Sequence, residues 1–291
     1  MVQKLHQGDN SSVYLATCDQ GSVIVKVLGL EHPSSPPVKR FQNSLKLNSQ
    51  LIHPNICRVL DQGVLSNTKQ VFGVFEYIEG LTLTRLIETE GPMNADRFCN
   101  VFSALCAAME FAHQSEKCII LRNLNPDNII IRKVDGLDQP VIIDFDCADA
   151  LNDPGRERLW QMGEFVGLPA GAITDKLPPG LASYFSPELC IGYKITPASD
   201  VYSMACCMFY ALTGTPPFVG TTLIDTMQMQ IADHPVMTRV PVPFEQILHK
   251  AFEKRAEDRL QTMTDFKNAI LKLRPHQDNK QLKFSSSRPI H

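Results

Sequence analysis

The sequence lacks the features that would send a chain into a membrane, out of the cell or onto nucleic acid. No apolar run approaches the roughly 18 residues of a membrane span, and the N-terminus has no charged-then-apolar signal plan. The chain is therefore expected to be soluble, with no membrane span. Basic residues are not in excess: 28 Lys and Arg against 31 Asp and Glu leave a formal net charge of -3, which gives no electrostatic reason to expect nucleic acid as a partner. The nine cysteines contain no C-x-x-C pair. Several of them (Cys106, Cys118, Cys206, Cys207) sit in apolar runs as small core residues, which points to a reducing, cytoplasmic setting. There is no internal repeat.

What is present is an ordinary globular composition, 44% hydrophobic and 20% charged over 291 residues, enough for one large domain or two lobes around a cleft. The first third alternates in strand fashion through LHQGDNSSVYLA, GSVIVKVLGL and VFGVFEYI, predicting a small antiparallel sheet. Between these runs, Val38, Phe41, Leu45 and Leu51 recur at helical spacing, and His53-Pro54-Asn55 stops that helix. From about residue 81 the period is helical: LTLTRLIETE, DRFCNVFSALCAAMEFAHQ, ASDVYSMACCMFYALTG, PFEQILHKAFEK and TMTDFKNAILKL. Short β-like runs, CIIL, IIIRKV and VIID, are set among them, before a loop-rich stretch from about 147 to 187. Residues 274–291 are polar without an apolar period and are expected to be a disordered tail.

A series of short signatures runs along this frame: VIVK ending at Lys26, HPNI from His53, FEYIEG, LRNLNPDN, IIDFD, SPE ending at Glu188, SDVYS around Asp200, and EDR ending at Arg259. In this order and spacing the chain resembles the Hanks-type serine/threonine protein kinases, in a bacterial-looking version, over roughly residues 2–273. The resemblance implies an α+β, two-lobed protein-kinase-like fold spanning 1–273. Its N-lobe, at about 1–78, would hold a small antiparallel sheet and one main helix; its C-lobe, at about 79–273, would be larger and helical. Met1 falls so close to the first strand that this strand is expected to be short or to lack its leading residues. ATP and Mg²⁺ would be the cofactors, bound weakly and not required by a scaffold, and other proteins the substrates or partners.

Carried residue by residue, the resemblance also shows where the chemistry departs. Phosphoryl transfer is mostly positioning and charge neutralisation. Lys26 stands where the family lysine holds phosphates, or is an exposed strand-edge lysine; its usual glutamate partner is replaced by Ser44, on a helix without Asp or Glu from Val38 to Leu51. Asn128 and Asp144 match the metal positions, although Asp144 also reads as a turn aspartate. Asp146 replaces a glycine, adding a second charge. Asn123 occupies the base position, where an amide cannot take a proton near pH 7; Asn125 replaces the phosphate-steadying lysine, and Leu181 a linking hydroxyl residue. Of the glycine-loop positions His6, Gly8 and Ser11, only Gly8 is glycine, and with Asp9 and Asn10 it reads equally as a hairpin turn.

In the adenine pocket, Ile24 replaces a small roof alanine opposite a floor at Ile130. Phe75 narrows the rear, ahead of the linker Glu76-Tyr77-Ile78, so ATP affinity is expected to be weakened. The scaffold is better kept. Glu188 and Arg259 match a buried ion pair, and Asp200 an anchor for the loop around Arg122 and Asn123. Leu121 and Phe145 match an apolar column that Asn48 interrupts, and Arg122 reads as a structural donor. The methionines of LIDTMQMQIADHPVM read as core or as a docking surface. The expected function is that of a pseudokinase, a scaffold or regulator with absent or very weak phosphotransfer. The alternative is an unorthodox kinase or other transferase that uses Mg-ATP.

Overall fold

The computed structural model describes residues 2–7, 11–19, 21–29, 35–145, 148–151 and 179–274. Gly8, Asp146, the segment 152–178 and the tail 275–291 lie outside the described residues, as does the side chain of Leu181.

Strands β1 (Val2–Gln7), β2 (Ser11–Cys18), β3 (Gly21–Leu28), β4 (Val59–Val64) and β5 (Val71–Glu76) form one sheet in the order β1-β2-β3-β5-β4. All its pairings are antiparallel. The β4 strand was not anticipated from sequence, because Asp61, Gln62 and Gly63 are poor strand formers. Pairing with β5 imposes it. On β5 the period of two buries Val71, Gly73 and Phe75, and this face receives helix α1 (Pro36–Asn48). A Cβ at Gly73 would stand 2.5 Å from Leu45 Cδ2, so glycine is what lets α1 lie this close. Val38, Phe41 and Leu45 complete that small core with Leu28, Cys57 and Ile78.

The helix ends at Asn48 instead of reaching Leu51. The amides of Gln50 and Leu51 turn back onto Leu47 O and Asn48 O, tightening the exit, and Leu51 is buried from the turn itself.

The second lobe begins with β6 (Leu81–Thr82), α2 (Leu83–Glu90) and α3 (Ala95–His113). There follow β7 (Ile119–Ile120), β8 (Ile129–Val134), β9 (Leu137–Ile142) and β10 (Asp149–Ala150), which pair as β6-β8-β9 and β10-β7. Helices α4 (Pro187–Ile191), α5 (Pro197–Thr213), α6 (Leu223–Ala232), α7 (Val242–Ala251) and α8 (Met263–Leu271) complete the described fold. Helix α5 is buried almost all round, as an evenly apolar helix must be. Its start is fixed by Pro197 and a Thr196–Ser199 capping box, its end by Gly214 at φ 78. Met227 and Met237 are buried, as core methionines, while Met229 is half-buried. Among the described residues no helix is long and apolar enough to cross a membrane.

Candidate functional site

The loop between β7 and β8 is built on one carboxylate. Asp200, in the first turn of α5 and fully buried, accepts from Leu121 N (2.8 Å) and Arg122 N (2.9 Å) and meets His113 Nε2 at 2.9 Å. These bonds hold Arg122 at φ 69, a left-handed conformation that non-glycine residues rarely adopt. The next residues are tied to one another. Asn125 Oδ1 caps the 3-10 turn Pro126–Asn128 by accepting from Asp127 N and Asn128 N. Its Nδ2 donates to Asn123 O (3.1 Å) and approaches Asn123 Oδ1 at 3.3 Å. Asn128 Nδ2 also donates to Asn123 O, at 3.0 Å. Asn125 therefore works as a loop cap, and Asn123 is a neutral amide that receives the side-chain amides of Asn125 and Asn128.

The lobes enclose a cleft of about 380 Å³. Because alternate residues of a strand share a face, β3 sends both Ile24 and Lys26 into it; Val13 and Leu5, at a register shift in β1, extend the same wall. Ile130 and Ile143 form the other side, Phe75 and Cys57 stand among the lining groups, and Glu76, Tyr77, Ile78 and Gly80 form the linker edge. Ile24 and Ile130 thus leave an apolar slot between them. Gly80 has to be glycine: a Cβ there would run into Ile131 O. The Cys57 thiol is pushed up to about 12, chiefly by burial and then by the charges of Glu76 and Asp144, so it is no nucleophile near neutrality.

Of the residues singled out in the sequence, Ile24, Lys26, Phe75, Glu76, Ile78, Asn128, Ile130 and Asp144 come together in this cleft. Gly8 lies outside the described residues, and Asn123 and Asn125 stand one hydrogen bond behind Asn128. Tyr77, read as part of the linker, also lines the cleft, whereas Leu5, Val13, Cys57, Gly80 and Ile143 were missed; the strand period of β2 and the FEYIEG linker carried the signal for Val13 and Gly80. Lys26 Nζ lies 3.7 Å from Asp144 Oδ2. Ser44, buried on α1, donates its hydroxyl to Phe41 O (2.9 Å), within its own helix.

Below the site, Arg259 and Glu188 form a bidentate pair at 2.7 and 2.7 Å, with Ser199 Oγ on the same carboxylate at 2.6 Å. Leu121 and Phe145 are buried in the larger core together with Leu47 and Leu51.

The model of the protein kinase domain matches residues 1–277. The chain belongs to the protein kinase family. Among family members it is similar to the serine/threonine-protein kinase PknB of Mycobacterium tuberculosis, 30% identical over 259 residues, covering 86% of this chain and 38% of that protein. It is also similar to PknF of the same organism, at 25% identity over 280 residues, covering 93% of this chain and 55% of PknF. The chain thus spans about two-fifths to just over half of the length of these relatives. In fold it is similar to the kinase domain of Mycobacterium tuberculosis PknI, with a TM-score of 0.65 at 19% identity, covering 93% of this chain and 94% of that one.

Proposed function

We propose that the protein is a pseudokinase: a kinase-fold protein in which phosphotransfer is absent or very slow and which acts as a scaffold or regulator by binding other proteins. The observation that carries this reading is the state of Asn123. Its side chain has no charge and faces the Asn125 amide, which is itself committed to capping the loop. Ser44, turned onto its own helix, leaves Lys26 without a glutamate from α1. Groups that act as a unit fail as a unit, so a set of replacements weighs more than one.

The cleft supports a second reading, an unorthodox transferase or a nucleotide-responsive switch. Its volume, about 380 Å³, falls within the range of small-molecule sites. Among the described residues no cluster of three or more His, Cys, Asp or Glu could hold a metal alone. Asp144 and Asn128, which both line the cleft, suit Mg²⁺, which takes one or two protein oxygens together with phosphates. Lys26 would hold the phosphates, and the linker Glu76–Ile78 the base. When bound, Mg-ATP would supply the transferable phosphoryl group.

Thermal unfolding with and without Mg-ATP, in the intact protein and in Lys26→Ala, tests whether the cleft is used. Binding at 100 times Kd adds about 2.7 kcal/mol. Transfer of labelled phosphate to a general protein substrate, before and after Asn123→Asp, tests the main reading. An enzyme slowed only by its missing base would regain about 10²–10⁴ in rate. A pseudokinase regains nothing from that one change, and recovery on this scale would replace the reading with that of a crippled enzyme.

A further inference from the structure

A second hollow, about 260 Å³, opens behind the linker and is lined by Ile52, His53, Pro54, Arg58, Glu76 and Arg132. Its charge balance is positive. Glu76 Oε1 already accepts from Arg58 N at 2.8 Å, whereas neither guanidinium is paired with a carboxylate among the described residues. Arg132 Nε donates to the neutral Gln139 Oε1 (2.7 Å), and Arg58 is exposed. His53 adds no charge of its own when its Nδ1 accepts from Asn55 N. Beside these cations lies apolar surface: Ile52 is 75% exposed, and Phe111, 41% exposed, lies with its ring 5.3 Å from that of His53.

The hollow is smaller than the roughly 300–1,000 Å³ of cofactor and drug-like sites, and it suits a side chain better than a whole nucleotide. Arginines and aromatic groups next to apolar surface are the residues that dominate protein interfaces. We propose that this hollow docks an extended segment of a partner protein, one that presents an acidic side chain to Arg58 and Arg132 and lays an apolar neighbour on Ile52 and Phe111. The inference goes beyond the pseudokinase reading and stands without it, since a substrate of an active kinase would use the same surface. Occupancy would also be felt in the cleft, because Glu76 lines both cavities and its backbone N–H donates to Arg58 O at 3.1 Å.

The test is a spotted array of short peptides, each with one acidic residue flanked by combinations of apolar residues, probed with the intact chain. The best binder is then carried into solution as a fluorescein-labelled peptide, with a twin in which lysine replaces the acid. The acidic peptide is expected to bind and its twin not. Arg58→Glu should weaken the acidic peptide about tenfold or more and favour the twin, with thermal unfolding unchanged because Arg58 is exposed. Ile52→Asp should weaken it as well. No acidic binder on the array, equal binding of the twins, or undiminished binding to Arg58→Glu overturns the proposal. Free glutamate or inorganic phosphate competing as tightly as the peptide would make the hollow a small-anion site and overturn it too.

Discussion

Lys26 Nζ lies 3.7 Å from Asp144 Oδ2 across the cleft, with side chains 18% and 26% exposed. Helix α1 carries no Asp or Glu that could share the lysine, and its Ser44 hydroxyl donates to Phe41 O within the helix. The pair is half-sheltered, and pairs of this exposure contribute near the top of the surface range, about 1 kcal/mol. Asp144→Ala should therefore lower the stability of the nucleotide-free protein by about that amount, read as a drop in urea midpoint. An unchanged midpoint would mean that the contact holds nothing together.

The Glu188–Arg259 pair carries far more. Arg259 is 3% exposed, its guanidinium also donates to Ala198 O, Glu253 O and Lys254 O, and it stacks 4.9 Å from the Tyr202 ring. Removing one partner strands the other charge in a low-dielectric interior. Glu188→Ala should destabilise by about 3–5 kcal/mol, measured by calorimetry. Pairing it with Arg259→Met should recover part of the loss, because the stranded charge is gone. A single variant that loses less than about 1 kcal/mol would place the pair among ordinary surface bridges.

Much of this was legible in the chain because it rests on local periods and fixed spacings. The alternation of β3 sends Ile24 and Lys26 to one face, and the spacing of Asn128 and Asp144 brings both to the same cleft. Where reading failed, tertiary pairing had overruled local preference. β4 is a strand because β5 pairs with it, despite Asp61, Gln62 and Gly63. The i→i+3 bonds at Gln50 and Leu51 end α1 before its apolar period runs out. The role of Asn125 as a cap was hidden, because a matched position reveals a missing lysine and not what the replacement does instead. The hollow at Arg58 was invisible for a simpler reason: Arg58 and Arg132 are 74 positions apart in number and only the fold makes them neighbours.

Buried thiols give the protein an alkaline liability. The Cys57 thiol is pushed from an ordinary 9.0 to about 12, first by burial, then by Glu76 and Asp144. Below about pH 9 both folded and unfolded chains keep this proton, and the stabilisation is intact. Between about 9 and 12 the unfolded chain releases it while the folded one does not, so stability falls as pH rises. The loss is on the order of 1 kcal/mol by about pH 10. Lys254 acts with the opposite sign: burial pulls it down to about 8, so the slope of the whole protein is a mixture. The difference between wild type and Cys57→Ala isolates the thiol. Urea midpoints from about pH 8 to 10 should fall more steeply in wild type, and parallel curves would contradict the shift.

Asn48, the last residue of α1, is 1% exposed, and neither Oδ1 nor Nδ2 has a hydrogen-bond partner among the described residues. It sits between Leu47 and Leu51, both members of the core that also holds Leu121 and Phe145. A buried amide left unsatisfied forfeits its hydration without recompense, at about 1–3 kcal/mol. Leucine has the same branching and number of side-chain heavy atoms as asparagine, though a larger volume, and leaves no polar atom unsatisfied. Asn48→Leu should therefore stabilise the protein by about 1–3 kcal/mol, as a higher urea midpoint at unchanged slope. A neutral or destabilising result would mean that the amide is satisfied by buried water or that leucine overfills the site, outcomes that Asn48→Ala separates by leaving room. A gain in stability would show that α1 is held against the second lobe less tightly than its packing allows. The same helix carries Ser44, whose hydroxyl is turned onto Phe41 O, so a stabilised Asn48→Leu variant would also show whether tightening α1 against the core changes what the cleft binds.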